Sequence, residues 1–326
     1  MSYSLVAGCL ALGLGVGDGH AAEAFQQTLP GATRDIRAAE LPPQPGFYLL
    51  GNYTHVSSDA VVDNEGGAFF PDTDQKLDVG NLGFLYVFPG TFWDGRLAVD
   101  VIGGYGRNQL TITDLPVGAG GAPIKGDNSG LFDVTGNVTW SRSYQEPPDP
   151  SLAPFGLPTG FAYALNLALT LPIGSYDGDA VGNTGFGAAT LSPGIAFTYR
   201  TVPLLLDATE FSAHVSYNHV FEHSGSAGGF DYRDGDYVIA DFAVTERWKM
   251  AQFGLAGSYV RQVEDDEGSL AIPTGSRGRV GSLKIGPIIS FDLAEGAGVR
   301  LKYLFNVEAK NTYEADTLMV SFFKKF

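Results

Sequence analysis

From residue 46 onward the chain alternates apolar and polar positions at a period of two, in segments about as long as a tilted membrane strand, which needs roughly 9–11 residues. The clearest segment runs from Phe161 to Leu171. There Phe161, Tyr163, Leu165, Leu167, Leu169 and Leu171 share one face, while Ala162, Ala164, Asn166, Ala168 and Thr170 share the other. The same split recurs from Phe211 to Phe221 and from Val299 to Val307. A soluble sandwich also alternates, but its outer face would be rich in Lys, Glu and Thr, whereas here the polar face is small and sparsely charged, as a barrel lumen is.

About twelve such segments are predicted, near 46–57, 76–88, 95–106, 130–142, 160–172, 189–200, 209–222, 236–248, 252–263, 279–293, 297–308 and 315–326. Long polar or Gly-rich connections (58–75, 107–129, 173–188, 223–235, 264–278) alternate with short ones such as 89–94 and 294–296, the outer-membrane rule of long loops outside and short turns inside. The connection 143–159 is longer than such a turn requires, and the first segment is apolar on both faces, so its orientation stays open. The predicted fold is all-β, a transmembrane antiparallel up-and-down β-barrel of about twelve strands occupying residues 46–326.

Both ends of the sequence fit that reading. Thr317 to Phe326 alternates Leu318, Val320 and Phe322 and stops on an aromatic residue. A chain that ends inside a strand must pair both edges of it, which closure of a barrel achieves. Phe326 is therefore the expected signal for the barrel assembly machinery, with Lys324 a departure from the usual apolar residue. Leu5 to Val16 is an apolar run followed by Ala21, Ala22 and Ala24, as in a secretory signal over residues 1–22, although no Lys or Arg precedes it and Arg34 is the first cation. Val6-Ala7-Gly8-Cys9 matches a lipoprotein box by chance, because the apolar run continues past Cys9. Residues 23–45, ending in Leu41-Pro42-Pro43-Gln44-Pro45, read as an extended lead-in, with an uncovered periplasmic tail the simpler expectation and a plug the other.

Composition narrows the chemistry. The 326 residues include 44 Gly, 22 Phe and 15 Tyr, with only 17% charged, and the net charge of −16 argues against nucleic acid, which needs a basic footprint. Cys9 is the one cysteine, so thiol catalysis and cysteine zinc sites are excluded from a processed chain.

Three motifs suggest catalysis or metal binding and none sustains it. His219-Val220-Phe221-Glu222-His223 matches a zinc metalloprotease pattern that requires a helix, but on a strand its two His would stand about 13 Å apart. His214, Ser216 and Asn218 have the residue types of an outer-membrane phospholipase, yet they share the inward face, where lipid cannot reach them. Acidic groups at Asp177/Asp179, Asp231/Asp234/Asp236 and Glu264 to Glu267 lack the calcium-loop pattern and read as solvated loops at the lipopolysaccharide surface. No cofactor, metal site or enzymatic activity is expected.

Parity assigns Asp100, Asp133, Asn166, His214, Asn218, Lys284, Arg300, Lys302 and Asn306 to the lumen. Asp100 and Asp133 would face Lys284, Arg300 and Lys302 from the opposite wall and set up a transverse field. Phe69, Phe70, Phe186, Phe230 and Tyr232 sit in loops where an entrance would be and could stack an aromatic solute.

The chain resembles the outer-membrane channels called phenol meta-pathway degradation-like proteins. The resemblance is carried by Leu41-Pro42-Pro43 leading to Gly46-Phe47-Tyr48, by Leu171-Pro172-Ile173-Gly174-Ser175-Tyr176-Asp177, by Asp231-Tyr232-Arg233-Asp234-Gly235-Asp236, by Gln262-Val263-Glu264-Asp265-Asp266, and by Gly278-Arg279-Val280 with Ile285-Gly286-Pro287. It implies a monomeric twelve-stranded barrel in the outer membrane, in contact with lipid and lipopolysaccharide, taking up small, poorly soluble organic molecules without catalysis. It looks less like the fatty-acid channels, whose larger barrel carries a plug motif absent here. The rival functions are a barrel enzyme acting on lipid and a general small-solute porin.

Overall fold

In the computed structural model, which describes residues 34–113, 123–147, 150–152, 156–177, 180, 182–223, 232–268, 279–294 and 296–326, each predicted segment forms a strand. They are β1 (Gly46–Val62), β2 (Thr73–Val87), β3 (Arg96–Ile112), β4 (Val134–Glu146), β5 (Thr159–Leu171), β6 (Thr190–Arg200), β7 (Ala208–Val220), β8 (Tyr237–Trp248), β9 (Ala251–Gln262), β10 (Gly281–Ala294), β11 (Ala297–Lys310) and β12 (Thr312–Lys325). Each pairs antiparallel with its neighbours in sequence, and β12 pairs with β1 from Tyr48↔Lys325 to Val62↔Thr312, so the sheet has no free edge. The Phe326 amide donates to the Phe47 carbonyl at 3.0 Å and completes the closure. The predicted signal and its cleavage site lie outside the described residues.

Lipid-facing and lumen-facing positions follow the predicted parity. Leu165, Leu167, Leu169 and Leu171 are exposed on the outer wall, whereas Ala162, Ala164, Asn166 and Thr170 are buried inside. In β1 the open question resolves: Tyr48, Thr54 and Ser58 are buried inward, while Phe47 and Tyr53 are exposed. Near the short-turn end the outer wall carries a girdle of touching rings, Phe47–Tyr86–Phe88 on β1 and β2 and Trp140–Tyr163 with Phe161–Phe197 on β4 to β6. Tyr86, Trp140 and Tyr163 suit the membrane–water boundary because each ring is apolar with a polar group at one edge, and the Phe rings pack against them.

Several strands run past their predicted ends at the loop side, notably β1 and β3, and a hairpin extension at Ile124–Leu131 pairs with β3. One ladder is shorter than the strands that flank it. β11 and β12 pair only from Ala297↔Lys324 to Leu304↔Thr317, beyond which β11 stays on β10 and β12 on β1. There the Asp316 carboxylate replaces the ladder, accepting from the Asn306 amide at 2.8 Å and the Tyr303 hydroxyl at 2.9 Å.

The lead-in departs from the simpler expectation. Residues 34–42 enter the lumen from the short-turn end and lie against its inner wall, so they form a plug and not an uncovered tail. A strand lumen made of small residues leaves space that something must fill, and Ile36 and Ala39 fill it: Ile36 packs with Ala243, Ala256, Ile288 and Leu304, and Ala39 with Ala162, Ala164 and Ala196.

Candidate functional site

The plug is held by its charges. Asp35, 1% exposed, accepts from Arg300 and, at 2.5 Å, from the Lys302 ammonium, both on β11. Arg37 donates through Nη2 to Asp292 Oδ2 at 2.7 Å, and Arg247 reaches the same oxygen at 2.6 Å. Both Glu40 carboxylate oxygens accept from Arg200 Nη2, at 2.9 and 3.0 Å, Gln145 Nε2 also donates to Glu40 Oε1, and Arg200 binds the buried Glu210 at 2.7 Å. The polypeptide itself is bonded too, since the Arg37, Ala38 and Ala39 amides donate to Glu210, Ser212 and Thr198 at 2.8, 2.8 and 3.1 Å. Arg37 sits at φ 57°, a left-handed conformation that costs a non-glycine residue about 1–2 kcal/mol and persists only where its surroundings hold it. The bonds on both sides of Arg37 do so.

Opposite the plug, the connection between β5 and β6 folds inward. Asp133 anchors it, accepting from the Gly174 amide at 2.7 Å and the Phe186 amide at 2.8 Å, while Asn108 and Asn128 donate to the Asn183 and Gly182 carbonyls. The fold is tight enough that a side chain at Gly174 would come within 2.8 Å of Gly185 Cα and 2.9 Å of the Asp133 amide, so glycine is required there.

Between the plug and this loop lies a cavity of about 610 Å³. Arg34 and Ile36 line it from the plug, Asn183 and Phe186 from the loop, and the wall contributes apolar patches (Val56, Leu77, Val79, Ile102, Ile239, Val260) between polar groups (Asn137, Asn166, His214, Asn218, Lys284). A volume of this order suits one small organic molecule, and mixed lining of this kind is usual in small-molecule sites.

Of the residues assigned to the lumen by parity, Asp100, Asp133, Asn166, His214, Asn218, Lys284 and Arg300 border this cavity. Lys302 is buried beneath the plug, and Asn306 stands on the wall opposite Lys284 in the β10–β11 register. The predicted transverse field is altered: the plug sets Asp35 against Arg300 and Lys302 and offsets one of their two charges, while Asp133 accepts from the loop amides and Asp100 from Asn137 at 2.8 Å. His214 bonds Asn166 at 2.9 Å inside the lumen, with Ser216 and Asn218 beside it.

The proposed entrance residues divide. Phe186 borders the cavity, but Phe70 is 2% exposed and packs, with Phe69 against it, on Val61, Leu110, Ile112 and Tyr313 at the rim. Phe230 lies outside the described residues, as does the Tyr232 side chain, although the Tyr232 backbone pairs with Gly268. His219 and His223 bond Asp236 and Asp234 at 2.8 and 3.0 Å on separate sides of a loop cluster, and no group of three metal-ligating side chains occurs among the described residues.

The plug residues and their wall partners Arg200, Glu210, Asp241, Arg247, Gln252 and Asp292 escaped the sequence reading. A signal was present. Arg34, Asp35, Arg37 and Glu40 put four charges into seven residues of a chain that is 17% charged.

The model of one family, described as a putative MetA-pathway of phenol degradation, matches residues 58–322. Among solved structures, the chain is similar to an outer membrane channel from Pseudomonas putida F1, with a TM-score of 0.69 and 13% identity over 90% of this chain and 99% of that one. The transport unit of the autotransporter AIDA-I from Escherichia coli (TM-score 0.48, 12% identity, 90% and 93% covered) is too distant to carry an argument. The same holds for the toluene transporter TbuX from Ralstonia pickettii (TM-score 0.44, 13% identity, 95% and 99% covered). No curated protein sequence matches the chain.

Proposed function

Since the chain belongs to the MetA-pathway phenol-degradation family, we propose that it is an outer-membrane channel for passive uptake of small hydrophobic or aromatic compounds. The observation that carries this reading is the cavity itself, a compartment of about 610 Å³ bounded by a charged plug below and Phe186 above, with apolar patches on its walls. A general porin works through a continuous column of water, which a segment bonded across the lumen at the short-turn end opposes. A barrel enzyme acting on lipid would need its nucleophile and base on the lipid face, and here His214, Ser216 and Asn218 are buried inside. Transport is driven by the solute gradient and by consumption inside the cell, because nothing in a barrel of this kind couples to an energy source. The chain is read as a monomer, a reading supported by closure of β12 on β1, which leaves no strand edge for a partner to pair with.

Removing the gene is expected to slow growth on an aromatic or hydrophobic carbon source when that source is scarce, and Phe186→Ala should reproduce part of the defect while the barrel still folds. Normal growth of the deletion strain on every such compound at limiting concentration, with loss of sugar or ion uptake instead, would reassign the chain to the porins.

A further inference from the structure

The inner wall on β10 and β11 carries three cations, and the plug pairs two of them with a single carboxylate. Asp35 takes Arg300 and Lys302. The third, Lys284, is 9% exposed and borders the cavity above the plug, where its ammonium donates to Thr317 Oγ1 at 3.1 Å. An ammonium has three N–H donors, and a buried cation is costly unless it meets an anion. The hydrogen bonds of the nearby carboxylates go to other groups, although Asp316 still acts on Lys284 through its charge. Asp316 accepts from the Asn306 amide and the Tyr303 hydroxyl, and Asp241 accepts from Ser258 at 2.7 Å and from the Arg34 amide at 3.2 Å. The register places Asp241 beside Ser258 and Ser258 beside Lys284, so two strand spacings, roughly 10 Å, separate the backbones that carry the carboxylate and the ammonium. Asn306 is directly opposite Lys284, and its buried Oδ1 has no hydrogen-bond partner where it stands, so the amide can turn an N–H toward an anion at the same point. Next to these polar groups the cavity wall is apolar, with Val260 and Met319 on the flanking strands.

We propose that Lys284, with Thr317 and Asn306 around it, is a subsite for the carboxylate of a small organic acid whose apolar body lies against the cavity wall. The proposal rests on the channel reading and adds the solute class to it. Asp35 illustrates the chemistry within the same lumen: a carboxylate brought against this wall is bound by its ammonium and guanidinium groups. A solute acid would do at Lys284 what the plug does one step lower, through charge-assisted hydrogen bonds that a neutral aromatic cannot make.

The test is equilibrium dialysis of radiolabelled benzoate and benzyl alcohol against the full-length protein in detergent at pH 7.5, with protein-free micelles as the blank. Benzoate should bind the wild type. Lys284→Met, close in shape and uncharged, should weaken benzoate binding by about tenfold or more, the size of one charge-assisted hydrogen bond. Benzyl alcohol should stay within about twofold, and Lys284→Arg should restore benzoate to near the wild-type level. Both variants must show the heat-dependent gel mobility of a folded barrel, and if Lys284→Met fails that check, Thr317→Val serves in its place with a smaller loss expected. If benzyl alcohol binds but benzoate gains nothing from Lys284, the subsite is wrong and the channel reading stands. If neither compound binds the wild type and the deletion strain grows normally on both, the channel reading has failed and takes the subsite with it.

Discussion

Replacing Asp35 by Asn removes one charge from a point where two cations converge, and the consequence can be sized. Asp35 and Lys302 are 1% and 2% exposed, so loss of the carboxylate leaves a buried ammonium without its anion. Breaking a buried pair from one side costs about 3–5 kcal/mol, which corresponds to roughly a hundred-fold to several thousand-fold in an equilibrium constant. That penalty falls on the docked state alone, because in the undocked state Lys302 and Arg300 face water. The plug has two further anchors, Arg37 on Asp292 and Glu40 on Arg200, so Asp35→Asn alone should loosen the tip around Arg34 to Ile36 and leave the rest in place. Combining it with Arg37→Gln and Glu40→Gln should free the segment. Single-channel recording in planar bilayers is the assay: the single variant should flicker to a higher conductance, and the triple variant should dwell there. The two unpaired cations should also move selectivity toward anions in both. The converse is a lock. Ala38→Cys with Ser212→Cys, placed where the Ala38 amide meets the Ser212 hydroxyl at 2.8 Å, should hold the segment docked when oxidised and abolish the high-conductance state until reduced. A triple variant with a folded barrel and wild-type conductance would show that the segment does not control the pore, and the argument from its ion pairs would fall.

Arg300→Ala with Lys302→Ala should shift selectivity toward cations, because Asp35 is then the uncompensated charge, and adding Asp35→Asn should cancel about half of that shift; additive effects in this cycle would mean the groups are not coupled. Deleting Phe326 should reduce the amount of barrel in outer membranes, read as loss of the heat-modifiable band, since its amide closes on the Phe47 carbonyl. In the loop cluster, burial alone would raise the Asp236 carboxyl, but hydrogen bonds from Tyr217, His219, the Val220 amide and Arg233 outweigh it and hold the group below its ordinary value. A carboxyl lowered by folding stabilises above its unfolded pKa of about 3.9 and loses that contribution as pH falls through the folded value, so amide-exchange protection of loop residues 232–236 and 263–268 should persist at pH 5 and fail only below about pH 4. Asp236→Asn should lose that protection already at pH 7, and unchanged exchange would remove the cluster's assigned role.

The outer wall was legible and the lumen's contents were not, for one physical reason. Lipid favours an apolar residue at every second position along the membrane-spanning part of a strand, so Phe161 to Leu171 reads as a strand from sequence and its faces are assigned correctly. The inward face answers to whatever fills the lumen, which differs along the wall. Where Leu41 of the plug approaches, the wall is Tyr48, Leu85, Val87 and Ala98, apolar because it is covered by protein; this is why β1 looked oily on both faces. Where the charged residues of the plug lie, the wall carries Arg200, Glu210, Arg247 and Asp292. Parity places each of these inward without naming a partner, and pairing Arg300 with Asp35 spans 265 positions that no local pattern connects. The transverse field differs from expectation for the same reason: the wall carries only part of the lumen's charge, and Asp35 arrives on a segment with no periodicity. In a barrel, sequence reports the solvent outside; the inner face becomes readable only when an unpatterned, unexpectedly charged stretch such as Arg34 to Glu40 is treated as a complement to it, so that its two anions and two cations are matched against inward charges of opposite sign before any are assigned to the pore.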